Sequence, residues 1–217
     1  MFIGHFAVAM AAKKAAPKAS LGTLVLASQL VDFIWPVMLI LGIEHVKVSP
    51  GITTVNPFDF YDYPITHSLI GAIGWSVILG AFYFYIKRDI RTSIILFLCV
   101  FSHWILDFLT HRPDLPLGFS GSKFFGLGLW NSLSGTIVVE GGLFVIGTAI
   151  YLNATKANDK AGIYGFWSLI VILLVIYAGN LIGSAPPNEA IIGYLGLVFW
   201  LFIPWAYWID RHRTIIE

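Results

Sequence analysis

The chain has 217 residues, 58% of them hydrophobic and only 12% charged, with a formal net charge of +1. Soluble domains run at roughly 45–50% apolar and roughly 25% charged, so this composition cannot cover a water-facing surface, and it is too apolar and aromatic for a disordered chain. A single cysteine, Cys99, excludes an internal disulfide, and the near-zero charge leaves no basic face for nucleic acid. What remains is a polytopic integral membrane protein whose partners are membrane lipids.

Residues 1–12 come first and are too short to span, at about 18 Å if helical against a hydrocarbon core of about 30 Å. Lys13 and Lys14 follow this apolar stretch, whereas a signal peptide carries its charge before the apolar part. The stretch is read as a short helix dipping into the protein from its cytoplasmic end at Lys13, the other reading being a helix lying flat at the interface. Apolar runs of spanning length then follow at 21–43, 67–86, 92–110, 132–152, 163–183 and 190–209. They are separated by breaks such as Lys87-Arg88-Asp89-Ile90-Arg91 and Ser184-Ala185-Pro186-Pro187-Asn188-Glu189, where charge and proline end helices. The expected fold is all-α: one membrane domain over 1–217, a helix bundle of about six transmembrane helices plus the short N-terminal helix. Residues 1–150 bear the motifs, and 160–217 hold two C-terminal spans.

Basic residues set the orientation. With six spans, ten lysines and arginines (Lys13, Lys14, Lys18, Lys87, Arg88, Arg91, Lys156, Lys160, Arg211 and Arg213) fall on one side and three (Lys47, Arg112 and Lys123) on the other. The positive-inside rule then puts both termini in the cytoplasm. Trp130, Trp167, Trp205 and Trp208 lie toward span ends, as interfacial anchors do, although packing within the bundle explains them equally well. The longest non-apolar stretches, 44–66 and 111–131, lie on the non-cytoplasmic side and are rich in Pro, Gly and aromatics.

Strongly polar side chains inside spans are costly and by default mark function. The candidates are His5, Asp32, His67, His103, Asp107, His111 and Glu140. Counted from the nearest cytoplasmic basic residue at about 1.5 Å per residue, they lie from mid-membrane to the outer face, and the inner third is left empty. His103, Asp107 and His111 are four apart on one span, hence on one helix face. A His and an Asp one turn apart can converge on one ion. Imidazole and carboxylate suit zinc first, with manganese and iron(II) as alternatives. Each feature also has a plainer reading. His5 can hydrogen-bond a neighbouring helix, His111 can cap its helix, and Glu140 can pair with Arg112 or a Ser/Thr. Lys47, Asp59 and Asp114 read as solvated loop charges, and Cys99 as a small packing residue.

At these residues the chain resembles the membrane-bound metal-dependent hydrolase family, inner-membrane proteins that include a member induced in the bacterial SOS response. The matching segments are Gly4-His5, Leu30-Val31-Asp32, Thr66-His67-Ser68-Leu69 and Ser102-His103-Trp104-Ile105-Leu106-Asp107-Phe108-Leu109-Thr110, within residues 1–150. Phe33 follows Asp32 where the family often doubles the carboxylate. Asp62-Tyr63-Pro64 stands where it often has His-Arg. A looser similarity, the His-x-x-x-Asp helix, links the chain to zinc-dependent phospholipases C.

The resemblance implies a bacterial inner-membrane hydrolase with a divalent metal, held by His67, His103 and Asp107 with His5 and Asp32 completing the set; by its spacing on the same span, His111 extends the site toward the loop. Such an ion lowers the pKa of a bound water to about 7. Glu140 or Asp62 are candidates for general base or for holding a ligand in place, and Arg112 for an anionic group such as phosphate. A site near the outer face suits an amphipathic or lipid-linked ester or phosphoester. The alternatives are a proton or metal-ion transporter, which requires polar residues along the whole path, and a non-catalytic membrane assembly protein. The sequence sets no oligomeric state.

Overall fold

A computed structural model describes residues 1–119, 121 and 123–216. Helices dominate: α1 (Ile3–Ala15), α2 (Leu21–Ser28), α3 (Leu30–Ile40), α4 (Pro64–His67), α5 (Leu69–Lys87), α6 (Ile90–Thr110), α7 (Leu133–Ala154), α8 (Lys160–Ile182), α9 (Glu189–Val198) and α10 (Phe202–Arg211). Five helical segments of 19–23 residues are long and apolar enough to cross a membrane: α5, α6, α7, α8, and α9 with α10 joined by a short 3-10 turn. The pair α2–α3 makes a sixth if it counts as one span. Their outward faces carry apolar side chains such as Val77, Phe82, Val145, Val171 and Ile182, as lipid-facing helices require.

The helix starts follow from local chemistry. Ser20, Ser68, Asp89, Ser132, Asp159 and Asn188 each accept a backbone N–H from the first turn of the helix they precede, satisfying a donor that the helix leaves unpaired. Between α5 and α6 the chain reverses over Arg88, in the left-handed region at φ 53°, and Asp89.

Two expectations are corrected. The run 21–43 is not one helix. It breaks at Gln29 into α2 and α3, bent by 56°, whereas Pro36 sits inside α3 without ending it. His67 does not lie on the second spanning helix but on the single turn α4, because Ser68 turns extended (φ −72°, ψ 155°) to cap α5. The architecture is a helix bundle, as expected, with strands confined to short stretches outside the helices. Among the described residues, three short antiparallel strand pairs lie outside the spans: β1 (His45–Val48) with β2 (Phe58–Asp62), β3 (Leu115–Pro116) with β4 (Phe124–Phe125), and β5 (Thr155–Ala157) with β6 (Arg213–Ile215).

The N-terminal stretch is inserted, not flat. His5 and Ile3 are fully buried, and α1 packs along α7 and against α2 and α6. The approach to α7 is close: a Cβ on Gly147 would lie 2.4 Å from the Ala7 carbonyl oxygen. Side chains of these helices build the core, with Phe6, Met10, Leu24, Val25, Leu96, Val100 and Phe144 at its centre. One end of the bundle gathers basic residues. There Lys13 Nζ lies 2.9 Å from Asp210 and Lys18 Nζ 3.8 Å from Asp89, and His212 donates from Nδ1 to Asp159 at 2.7 Å. Arg213 is buried beside them over the Tyr151 and Phe166 rings. The β1–β2 hairpin and α4 sit at the opposite end, with a second core of Val46, Phe60, Tyr63, Leu115, Trp130 and Ile192. Trp130 therefore packs rather than anchors, with its ring 4.4 Å from that of His111.

Candidate metal centre

Four elements aim polar side chains at one point. α6 presents His103 and Asp107 on the same face, one turn apart, both essentially buried. The break at Gln29 turns α3 so that Asp32, in its first turn, faces them. The single turn α4 adds His67, and α1 adds His5.

The distances form a closed set. His103 Nε2 lies 3.5 Å from Asp32 Oδ1 and 3.2 Å from Asp107 Oδ2. His67 Nε2 lies 3.3 Å from Asp32 Oδ1 and 4.0 Å from Asp107 Oδ2. On the other side of Asp107, Oδ1 is 3.1 Å from His5 Nε2 and meets the amino nitrogen of Met1. The His5 and His103 rings stack with centroids 3.6 Å apart.

Neighbours fix which ring nitrogen faces the cluster. His103 Nδ1 donates to the Ser28 carbonyl at 2.9 Å, an acceptor located at the helix break. The Thr66 hydroxyl donates to Glu44 Oε2 at 2.6 Å, so Thr66 Oγ1 accepts from His67 Nδ1 at 2.7 Å. In both rings Nδ1 is engaged by a neighbour and Nε2 turns inward, the nitrogen a metal-ligating histidine presents, and His67 Nε2 also lies within hydrogen-bond distance of Asp32 Oδ1 at 3.3 Å.

His103 Nε2 is buried and makes no hydrogen bond. Two carboxylates this close call for positive charge at Nε2, which a proton on the ring or a divalent ion in its place supplies. Donors about 2.0–2.1 Å from a tetrahedral zinc lie about 3.3–3.4 Å apart, and three of the four contacts among Asp32, His67, His103 and Asp107 fall between 3.2 and 3.5 Å. Asp32, His67 and His103 form one group able to hold an ion, and His5, His103 and Asp107 another.

Asp32, His67 and Asp107 line a cavity of about 590 Å³, together with Glu140 and His111. Its walls are largely apolar and aromatic, with Phe33, Trp35, Phe60, Ile192, Leu195 and Phe199 among them. Ligand pockets are typically roughly 300–1,000 Å³ and apolar, with a few converging polar groups.

The remaining sequence candidates stand apart from the cluster. His111 caps α6 and donates from Nδ1 to Asp114 at 2.9 Å. Glu140 accepts the Phe2 N–H at 3.0 Å, rather than pairing with Arg112. Asp62 accepts from His45 on the hairpin at 2.7 Å. Arg112 pairs with Asp59, and with Asp114 at 3.2 Å. Asp114 is therefore not a solvated loop charge: it is buried, because both His111 and Arg112 need its oxygens. Burial, then the negative charges of Asp114 and Asp107, hold the Tyr63 phenol well above its ordinary value, so it remains a donor beside His111 and Asp114.

Two contributors were not visible as candidates. Glu44 is 1% exposed, and its oxygens accept the N–H groups of Ile65 (2.7 Å) and Thr66 (2.9 Å) as well as the Thr66 hydroxyl. Its only sequence signal is a lone acid before His45, with partners over twenty residues away. Ser28 acts through its carbonyl, which no side-chain pattern reveals.

The chain matches no protein-family model, no curated protein and no solved structure.

Proposed function

We propose that the chain is a membrane-embedded, metal-dependent hydrolase acting on an amphipathic or lipid-linked ester or phosphoester. It would sit in a bacterial inner membrane with α2–α3 completing six spans, both termini cytoplasmic and the site near the outer face. The ten-to-three split of basic residues supports that orientation.

One observation carries the reading. A buried, unpartnered His103 Nε2 faces Asp32 and Asp107, and those two carboxylates line the floor of an apolar cavity. Asp32, His67, His103 and Asp107 would hold the ion, with His5 fixing the second oxygen of Asp107. A divalent ion in such a site supplies Lewis acidity and an acidified water. The chain's own groups do the rest. Ser28 and Thr66 hold the two imidazoles in the ligating tautomer. Glu140, lining the same cavity, is placed to take a proton from the attacking water. The aromatic walls exclude bulk water and take up the apolar part of the substrate.

The packing supports hydrolysis over conduction. Between the cluster and the basic end, α1, α2, α6 and α7 bury the apolar side chains of Phe6, Met10, Leu24, Val25, Leu96, Val100 and Phe144, with Thr148 donating to the Met10 sulfur among them, where a proton or ion path needs a continuous row of polar groups. The test is release of fatty acid or phosphate from lipid esters by the detergent-purified, zinc- or manganese-loaded protein. Activity removed by a chelator and restored by metal is expected. Activity that is indifferent to chelation, or absent across both lipid classes, refutes the reading.

A further inference from the structure

Charge narrows the substrate. Among the described residues that line the cavity there is no lysine and no arginine. Arg112, the nearest candidate for holding an anion, does not line it, and its charge is met by Asp59 and Asp114. The acidic residues that face the cavity are Asp32, Asp107 and Glu140. One divalent ion offsets two of these three carboxylates and leaves no surplus positive charge. An anionic phosphodiester entering this site would find no basic side chain to pair with beyond an ion whose charge the acids already offset, and would approach the remaining carboxylate; like charges brought together in a desolvated site discriminate strongly. An uncharged acyl ester has no such cost, and its chain matches the walls built from Phe33, Trp35, Phe60, Leu195 and Phe199.

Resting on the hydrolase reading above, we infer that the substrate is an uncharged long-chain carboxylic ester and not a phosphoester. The reaction is ester hydrolysis. The water oxygen bonds to the carbonyl carbon and the bond from that carbon to the alcohol oxygen breaks. One water proton passes to the departing alcohol and the other stays with the acid, so no oxidant or co-substrate is needed.

The experiment compares two probes with the same leaving group and the same apolar chain length. They are p-nitrophenyl palmitate, uncharged, and hexadecyl p-nitrophenyl phosphate, a singly anionic phosphodiester. Each is offered to the full-length, zinc-loaded protein in detergent, beside a folded His103→Ala/Asp107→Ala variant that sets the background. The expected result is a kcat/KM for the ester, relative to its own buffer rate, at least about 100-fold above that for the phosphodiester, and lost in the variant. Equal or faster turnover of the phosphodiester overturns the inference and leaves the hydrolase reading standing. No turnover of either probe above the variant overturns both.

Discussion

Glu44→Gln tests how the cluster is held together. The wild-type carboxylate accepts from Ile65 N at 2.7 Å, Thr66 N at 2.9 Å and Thr66 Oγ1 at 2.6 Å. Glutamine keeps the oxygen that serves the two backbone donors, so α4 stays capped and the fold is retained. Its amide nitrogen, however, replaces the oxygen that accepts from Thr66. The Thr66 hydroxyl then turns its proton toward His67 Nδ1, 2.7 Å away, and the imidazole proton moves to Nε2. A protonated Nε2 has no lone pair for an ion. Changes to groups that orient a ligand cost about 10–100-fold in metal affinity, equivalent to about 1.4–2.7 kcal/mol. Thr66→Val, which removes the hydroxyl, is expected to fall in the same range. Competition between the purified protein and a fluorescent zinc chelator reads the affinity, with circular dichroism confirming the fold. An affinity for Glu44→Gln within about twofold of wild type would refute the tautomer argument.

Two further outcomes follow from the packing and the caps. Gly147→Ala places a Cβ 2.4 Å from the Ala7 carbonyl oxygen and 2.7 Å from the Ala7 Cα. Backbone cannot yield as a side-chain tip does, and overpacking of about 1–3 kcal/mol should lower the apparent melting temperature in detergent by roughly 3–10 °C. An unchanged melting temperature contradicts the close α1–α7 approach. Asp89 is held below the ordinary carboxylate range, chiefly by the Thr92 backbone N–H and then by the Thr92 hydroxyl. A depressed folded-state pKa adds stability that is present above the unfolded value of about 3.9 and lost as pH falls through the lower folded one. Asp89→Asn should therefore flatten the acid limb of the melting temperature below about pH 4, and an identical acid limb would show that this cap does not contribute.

The spans were legible because lipid imposes length and apolarity together, and because charge at 87–91 and the proline pair at 186–187 mark the breaks between them. The convergence of His103 and Asp107 was legible from their spacing on one helix. Burial of His5 followed from a segment too short to cross yet too apolar to leave in water. The break at Gln29 was not legible: glutamine is no helix breaker, and Pro36, the residue that drew attention, stays inside α3. The turn at His67 depends on Ser68 capping α5 in place of continuing α4, a choice between two hydrogen-bonding options that depends on what Glu44 does to the N–H groups of α4. Glu44 and Asp114 were misjudged for one reason. Each is a loop acid whose character is set by partners that tertiary structure delivers: Thr66 in one case, His111 and Arg112 in the other.

The proposed hydrolase depends on a divalent ion held by Asp32, His67, His103 and Asp107. Metal content of the detergent-purified protein by mass spectrometry tests it directly, beside the folded His103→Ala/Asp107→Ala variant. The account predicts about one zinc or manganese per chain in the wild type and loss of that ion in the variant. Absence of metal from both samples, even after incubation with divalent ions, would contradict it and leave the cluster as a hydrogen-bonded polar core.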